Sequence, residues 1–358
     1  MRSSLLAPPP GLERARLAPR PEAPLFTTLL TGGDVPAEYR AGREGVLLLD
    51  ATDRGEVRAR GRDAADFLHR ILANRVRDLG PGEGARNLLL TPQGKVRFDV
   101  DLLRDEEEIR LSTPPGAAAV LFAALEAYVF SEDLALADTT AQHAPLELAG
   151  PGAAPLVSRV FGAEPPAGPR AWRRMETSGG PVVVAAVSVA GGTGFRIDAG
   201  PERAVELWRA FLAAGAVVGG IAARDILRVE AVAALWGVDV DENVYPQEAR
   251  LEDAFSLAKG CYTGQEVVAK IDTYGGLNKR LFPLRVDHDD PVPRGTRLLS
   301  GEEGERRDLG VVTSWAYSFA LDGGLALAFV KRKHQEVGTR FVLGDGSGTA
   351  TIVAEPVG

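Results

Sequence analysis

The chain has a single cysteine, Cys261, among its 358 residues, and this limits how its fold can be held together. One cysteine cannot form an intrachain disulfide, which fits a reducing compartment. Iron–sulfur clusters are usually held by four cysteines, so the chain cannot carry one alone by that pattern. The hydrophobic fraction of 45% and the charged fraction of 25% are ordinary for a globular protein. A chain of this length is expected to fold into two or three domains.

The charge and hydropathy patterns argue against two kinds of interaction. A net charge of -8 argues against a chain that coats nucleic acid through charge alone, although it leaves a local basic patch open. No apolar run approaches the roughly 18 residues needed to span a bilayer. The first residues show no hydrophobic segment followed by a cleavage site. These patterns predict a cytoplasmic protein that does not bind membranes.

Composition and periodicity predict an α+β protein with a tail and three parts. Residues 1–24 are rich in proline and are expected to be a poorly ordered tail that pairs in no sheet. Residues 25–145 and 146–275 are expected to form two α+β lobes, and residues 276–358 an all-β barrel or sandwich. Helices are expected at 64–73, capped by Asp63, and at 117–130, with Tyr128 on the buried stripe. Further elements are predicted as strands at 45–50, 56–61, 85–90, 96–103, 182–189 and 194–198, and as helices at 202–214, 222–231 and 265–271.

Residues 259–266, KGCYTGQE, place the cysteine between two glycines. Glycine permits backbone conformations closed to other residues, so this run predicts a shaped loop. A thiol just ahead of a helix N-terminus and close to Lys259 would have its thiolate favoured by the helix dipole and the cation. The alternative is that Cys261 is a small buried hydrophobe, as free cysteines usually are.

Two carboxylates are candidate binding or catalytic groups. Glu230 closes a predicted helix, and its carboxylate could accept two parallel N–H bonds from a planar donor pair. The alternative is an exposed helical glutamate paired with a cation. Asp99 shares one side of a predicted strand with Arg97 and Asp101, which would be either the lining of a site or a solvated edge.

Several other kinds of site are poorly supported. The four histidines lie far apart in sequence, so no metal site is predicted. Residues 191–194, GGTG, are more typical of a hairpin turn than of a phosphate cradle. A group of cations near the cysteine could meet a polyanion, or could be a solvated face. This basic patch consists of Lys259, Lys270, Lys279, Arg280 and Arg285.

Together these motifs resemble a known family. Residues 259–270, KGCYTGQEVVAK, and 278–280, NKR, closely resemble the signature of the YgfZ family of folate-binding proteins. From about residue 45 to the C-terminus the chain resembles the related T-protein (aminomethyltransferase) of the glycine cleavage system. The supporting segments are 67–74 FLHRILAN, 222–231 AARDILRVEA and 309–314 LGVVTS.

The resemblance implies a fold and a set of roles. It implies three domains in a ring like that of the T-protein, with tetrahydrofolate in the central opening and a C-terminal β-barrel. Glu230 then corresponds to the glutamate that binds the pterin, and Asp99 to an aspartate near the reactive folate nitrogens. Cys261 would act in catalysis with Asp99, and Lys259 would help to hold the cofactor, whose polyglutamate tail would lie on the basic patch.

Three functions follow as hypotheses. The first is a tetrahydrofolate-binding accessory protein that supports iron–sulfur cluster assembly or repair, with iron–sulfur proteins, assembly factors and a tRNA-modifying enzyme as partners. The second is an aminomethyltransferase that passes a one-carbon unit to tetrahydrofolate. A shortened N-terminal region, and a single Asp99 where T-proteins usually have paired aspartates, favour the first. The third is an RNA-binding module that uses the basic patch.

Overall fold

The computed structural model describes residues 15–23, 27–301 and 306–355. Within these residues the chain forms seven helices: α1 Val35–Glu44, α2 Ala64–Ile71, α3 Ala118–Glu126, α4 Ala153–Phe161, α5 Pro201–Ala213, α6 Ile221–Glu230 and α7 Gln265–Tyr274. It also forms nineteen strands: β1 Arg16–Pro19, β2 Thr27–Thr31, β3 Leu47–Asp50, β4 Gly55–Arg60, β5 Gly84–Leu90, β6 Val96–Arg104, β7 Glu108–Thr113, β8 Ala135–Asp138, β9 Leu146–Ala149, β10 Trp172–Met175, β11 Val182–Val189, β12 Gly192–Asp198, β13 Val217–Gly219, β14 Lys279–Val286, β15 Arg297–Leu299, β16 Asp308–Ser318, β17 Gly323–Lys331, β18 Arg340–Leu343 and β19 Thr349–Ile352. In this part of the chain no helix has the length and apolarity that crossing a membrane requires.

The first lobe is a five-stranded antiparallel sheet covered by α2 and α3. Its strand order is β5-β6-β7-β4-β8. The apolar face of α2 buries Phe67 and Leu68 in the same core as Leu121 and Leu125 of α3. In each helix the apolar residues recur every three to four positions and so lie on one side, which is why the sequence pattern predicts both helices.

The second lobe is a six-stranded sheet with the order β10-β11-β12-β9-β3-β13, and α4 and α5 pack on it. Its strands are antiparallel except for β13, which pairs parallel to β3, with Val217 opposite Leu47. All four residues of β3 are buried, as is typical of a strand covered on both faces. The sheet therefore takes a strand from the part of the chain before residue 145, and the two sheets do not follow the expected boundary at 145/146.

The predicted C-terminal β-barrel is confirmed. Six strands close in the order β14-β17-β16-β15-β18-β19, and β19 pairs back onto β14. Helix α6 joins the barrel to the second lobe. Arg228 of this helix donates to Asp239 and to Ser314 of β16, both at 2.9 Å.

The N-terminal segment differs from the expected tail where the structure describes it. Strand β1 pairs antiparallel with β2, with Pro19 opposite Thr27. Proline is tolerated here because β1 is an edge strand of a two-stranded sheet. Arg20, directly after the strand, is buried and donates two hydrogen bonds to Asp53 and one to the carbonyl oxygen of Asp50. Residues 1–14 and 24 of the predicted tail lie outside the described residues.

Two helix predictions need correction. Helix α3 ends at Glu126 rather than near residue 130, and Tyr128 is 38% exposed instead of lying on a buried stripe. Beyond the helix, the Glu132 carboxylate accepts hydrogen bonds from the backbone N–H groups of Phe130 and Ser131. Asp63 does stand at the N-cap of α2, but its carboxylate accepts the N–H of Asp133 instead of capping the helix.

Candidate functional site

A central cavity of about 480 Å³ lies where both lobes, α6, the N-terminal segment and the end of the barrel domain meet. The N-terminal segment contributes Arg20 and Glu22, and the barrel domain contributes Glu355. The turn between β11 and β12 also reaches the wall. This turn is the hairpin predicted for GGTG, with Ala190 and Gly191 at positive φ. Positive φ at two central residues is typical of a tight two-residue hairpin turn.

The wall of this cavity carries many charges of both signs. Seven arginines line it: Arg20, Arg54, Arg86, Arg170, Arg224, Arg228 and Arg250. Six carboxylates accompany them: Glu22, Asp99, Asp101, Glu147, Asp253 and Glu355. An apolar surface is supplied by Leu235 and by Trp236, whose ring stacks on Phe98 with centroids 6.0 Å apart. Such a wall suits a ligand that has a flat ring and both donors and acceptors.

Asp99 lies on the cavity wall. Strand β6 alternates as expected, with Phe98 and Val100 buried on the opposite face, so the strand turns Asp99 and Asp101 inward together. The Asp99 carboxylate accepts two hydrogen bonds from Arg86, at 3.0 Å from Nε and 2.6 Å from Nη2. Burial lowers the pKa of Arg86, but the charge and hydrogen bonds of Asp99 outweigh it and raise that pKa.

Asp101 connects the two lobes. Its carboxylate accepts hydrogen bonds from Arg170 and, at 3.3 Å, from Nη1 of Arg196 in β12. Arg196 in turn donates to Asp198 at 2.8 Å. Buried charges of this kind fix geometry, because removing one partner leaves the other unpaired in a poorly solvated place.

Glu230 lies at the C-terminal end of α6, but its carboxylate is not among the groups that line the cavity. It is 1% exposed and accepts hydrogen bonds from the hydroxyl of Tyr39 at 2.8 Å, the hydroxyl of Ser318 at 2.6 Å and the N–H of Ala320 at 3.2 Å. Burial, with the hydrogen bond to Glu230, raises the pKa of Tyr39 to about 12. The structure therefore joins Glu230 to α1 and to the barrel, and its predicted contact with a pterin stays a prediction.

Cys261 is exposed, so the alternative of a small buried hydrophobe is wrong. Its loop is fixed at both ends. Lys259 donates its amine to the carbonyl oxygen of His69, and Nε2 of His69 lies 2.9 Å from the carbonyl oxygen of Lys259. Gly264, at φ 80°, ends the loop against the β5–β6 turn, where a Cβ atom would lie 2.6 Å from the carbonyl oxygen of Thr91.

Cys261 is exposed and is not among the residues that line the central cavity. Beside Lys259 is an open cleft of about 560 Å³, which Asp253 shares with the central cavity. Burial, followed by the charge of Arg77, lowers the pKa of Lys259 to about 8. Within the described residues, no three histidine, cysteine or acidic side chains converge as metal ligands do. The structure thus brings Asp99 to the cavity and places Lys259 and Cys261 on a neighbouring surface.

The basic patch is partly neutralised. Lys270 pairs with Glu266 at 2.7 Å and Arg280 with Glu252 at 2.9 Å. The amine of Lys279 lies over the ring of Phe329, 4.7 Å from its centroid. These exposed pairs fit a solvated face at least as well as a polyanion site.

The sequence did not reveal several residues of the cavity wall. Arg54 lies in the loop after β3, and Glu147 stands in the middle of β9. The only local signal was a charged residue within an otherwise apolar strand, LELA, and that pattern alone equally suits a strand with one solvated face. Arg20 and Glu22 were assigned to the tail.

Comparisons with known proteins agree with this architecture. The GCVT N-terminal domain matches residues 28–259, and the glycine cleavage T-protein C-terminal barrel domain matches residues 279–357. An aminomethyltransferase of Rubrobacter xylanophilus is 32% identical over 299 residues, 83% of this chain and 79% of that protein. An aminomethyltransferase of Chlorobium limicola is 28% identical over 316 residues, 86% of each chain.

A solved structure shows the same fold. The glycine cleavage system aminomethyltransferase T of Bartonella henselae superposes with a TM-score of 0.84 at 23% identity, over 96% of this chain and 94% of that one. The α+β fold with its closed C-terminal barrel is thereby confirmed. On the two domain matches, which together span most of its length, the chain belongs to the glycine cleavage T-protein family.

Proposed function

We propose that this protein binds tetrahydrofolate in the central cavity and acts, as a member of the YgfZ branch, in iron–sulfur cluster assembly or repair. Aminomethyltransferases of this family use tetrahydrofolate as their one-carbon carrier. The cavity volume is within the range of small-molecule sites. Its arginines would hold the carboxylates of the cofactor, and Trp236 and Leu235 would contact its ring. Bound there, the cofactor would supply or accept a one-carbon unit.

The observation that carries the accessory role is the exposed Cys261 on a loop pinned by Lys259 and His69. A thiol that served only as core packing would be buried, whereas this one is free to meet another protein. We propose that it contacts iron–sulfur partners, including a tRNA-modifying enzyme. A thiol that must stay reduced fits the cytoplasm.

Asp99 is the second reason to prefer an accessory role. In an aminomethyltransferase this carboxylate would position or polarise the folate nitrogen. Here both of its oxygens already accept hydrogen bonds from Arg86. We propose that Asp99 orients the cofactor and does not take a proton from it.

The test separates the thiol from the cavity. Cys261→Ala is expected to bind tetrahydrofolate as the wild type does but to leave iron–sulfur enzyme activity unrestored in a strain that lacks the protein. Thr273→Ala, on the exposed side of α7, is the matched control and should restore activity fully. Full restoration by Cys261→Ala would remove the thiol from the mechanism.

Aminomethyl transfer is the second candidate, and similarity to proteins of that name favours it. The purified protein would be mixed with tetrahydrofolate and an aminomethylated lipoyl-protein, and ammonia release measured. Robust turnover that Asp99→Asn abolishes would replace the accessory role with an enzymatic one.

A further inference from the structure

Arg54 and Glu147 lie next to each other on the wall of the central cavity without completing a hydrogen bond. Nη1 of Arg54 lies 3.8 Å from Oε1 of Glu147, and Nη2 of Arg54 lies 3.8 Å from Oδ2 of Asp101. Hydrogen bonds between such groups span about 2.7–3.2 Å, so both gaps are too long. Both side chains line the cavity.

The hydrogen-bonding capacity of Arg54 is largely unused. A guanidinium has five N–H donors, and among the described residues Arg54 spends one of them, from Nε to the hydroxyl of Ser112 at 3.2 Å. Neither terminal nitrogen of Arg54 makes a hydrogen bond to the described part of the chain; each lies 3.8 Å from a carboxylate oxygen. Burial lowers the pKa of Arg54, and no carboxylate stands close enough to compensate fully.

Glu147 is the matching acceptor. Its neighbours on both sides in β9, Leu146 and Leu148, are fully buried, so the strand holds its position firmly. The carboxylate accepts no hydrogen bond from the described part of the chain, whereas Asp99, Asp101 and Glu22 on the same wall each accept at least two. A half-buried carboxylate with four acceptor sites and no donor is poorly solvated unless water or a ligand supplies one.

We infer that Arg54 and Glu147 recognise the ring of the bound cofactor, an inference that rests on the proposed binding of tetrahydrofolate. The amino-pyrimidinone edge of a pterin carries N–H donors directly beside a carbonyl acceptor. Such an edge would give its N–H groups to Glu147 and its carbonyl oxygen to Arg54, because donor and acceptor lie as near neighbours on the wall. The carboxylate of Glu230 already accepts hydrogen bonds from three protein groups, including Tyr39 and Ser318. On this inference its role is structural and it does not contact the cofactor.

The experiment compares the two glutamates by anaerobic calorimetric titration with tetrahydrofolate. Glu147→Gln and Arg54→Met are each expected to weaken binding at least 10-fold, the loss that follows when a charged hydrogen-bond partner is removed. Glu230→Gln should weaken it less than Glu147→Gln, and Glu202→Gln, on the exposed first turn of α5, should bind as the wild type does. Thermal unfolding of the free variants checks their folding, and Arg54→Lys, which keeps the charge but loses the fork, replaces Arg54→Met if that variant does not fold.

The outcomes separate this inference from the proposed function. If the wild type binds tetrahydrofolate and Glu147→Gln binds within 2-fold of it, the inference is wrong while folate binding stands. If the wild type does not bind, both are wrong. A second titration uses p-aminobenzoylglutamate, which lacks the pterin. Glu147→Gln should leave the affinity for p-aminobenzoylglutamate unchanged. If this variant loses as much affinity for p-aminobenzoylglutamate as for tetrahydrofolate, Arg54 and Glu147 bind the tail of the cofactor, and the inference that they bind its ring is wrong.

Discussion

The buried ion pair between Arg20 and Asp53 should hold the N-terminal segment onto the body of the protein. Both side chains are about 5% exposed, and Arg20 donates two bonds to the carboxylate and a third to the carbonyl oxygen of Asp50 at 3.0 Å. Removing one partner of a buried pair typically costs about 3–5 kcal/mol, because the remaining charge is left unpaired. Arg20→Met should therefore weaken docking of β1 by about 3 kcal/mol.

Hydrogen exchange measured by mass spectrometry reports this change locally. Each 1.4 kcal/mol is a factor of ten, so about 3 kcal/mol should speed exchange of the β1–β2 amides about 100-fold. Peptides from β16 and β17 in the barrel are the internal control and should exchange at the same rate in both proteins. Since Arg20 and Glu22 line the cavity, tetrahydrofolate should also bind more weakly.

A double variant decides whether the unpaired charge is the cause. Replacing both partners by apolar groups, Arg20→Met with Asp53→Leu, should recover most of the lost protection, because the Asp53 charge is then removed and Glu22, the other carboxylate that Arg20 contacts, keeps its hydrogen bond from Arg224. The reasoning is refuted if Arg20→Met speeds exchange less than 5-fold, or if the double variant exchanges as fast as Arg20→Met alone.

Two further predictions concern acid stability and the cysteine loop. His143 is buried between Glu56 and Asp198, and burial lowers its pKa to about 4, so the unfolded chain binds a proton between about pH 6.5 and 4 that the folded protein does not. Because of this group, the free energy of unfolding should decrease as the pH is lowered from about 6.5 to 4, by up to about 1.4 kcal/mol per pH unit. His143→Gln should reduce this pH dependence in urea titrations carried out at each pH. An unchanged dependence would contradict the assignment. In Gly264→Ala the added Cβ atom would lie 2.6 Å from a backbone oxygen, whereas in Gly260→Ala, also at positive φ, it would meet nothing within 4 Å. Thermal unfolding should therefore show Gly264→Ala to be less stable than Gly260→Ala by at least about 1 kcal/mol. Equal stabilities would mean that the loop does not depend on this contact.

Five of the seven α-helices in the described part of the chain, six strands of the two lobes and the barrel could be predicted because each follows a local period, whereas α1 and α4 are not predicted by the sequence pattern. The apolar side of α2 and the alternation of β6 depend only on which side of each element is buried. For the same reason the alternation of β6 could place Asp99 on the opposite side from Phe98 and Val100. The end of α3 could not be found in this way. Beyond the helix, Glu132 accepts hydrogen bonds from the backbone N–H groups of Phe130 and Ser131, and no pattern in the apolar run before it indicates those bonds.

The charges of the cavity were beyond local patterns. Arg20, Arg54 and Glu147 come from segments far apart in sequence, and each has a partner or a facing group that the fold alone brings near. Proline in the segment around Arg20 indicated a tail, yet one buried guanidinium suffices to dock it. The family resemblance predicts that Glu230 binds the ligand. Its carboxylate accepts hydrogen bonds from Tyr39 and Ser318, and no sequence motif connects those residues with Glu230.

The parallel pairing of Leu47 with Val217 has a consequence for synthesis of the protein. Translation at about 5–20 residues per second leaves β3 without this neighbour for roughly ten seconds or more. During that interval a strand that begins with three leucines emerges from the ribosome with an open edge, a state prone to aggregation. A fragment that begins at residue 146 would lack β3, which lies between β9 and β13 in the second sheet. We therefore expect the two fragments to fold only when both are present.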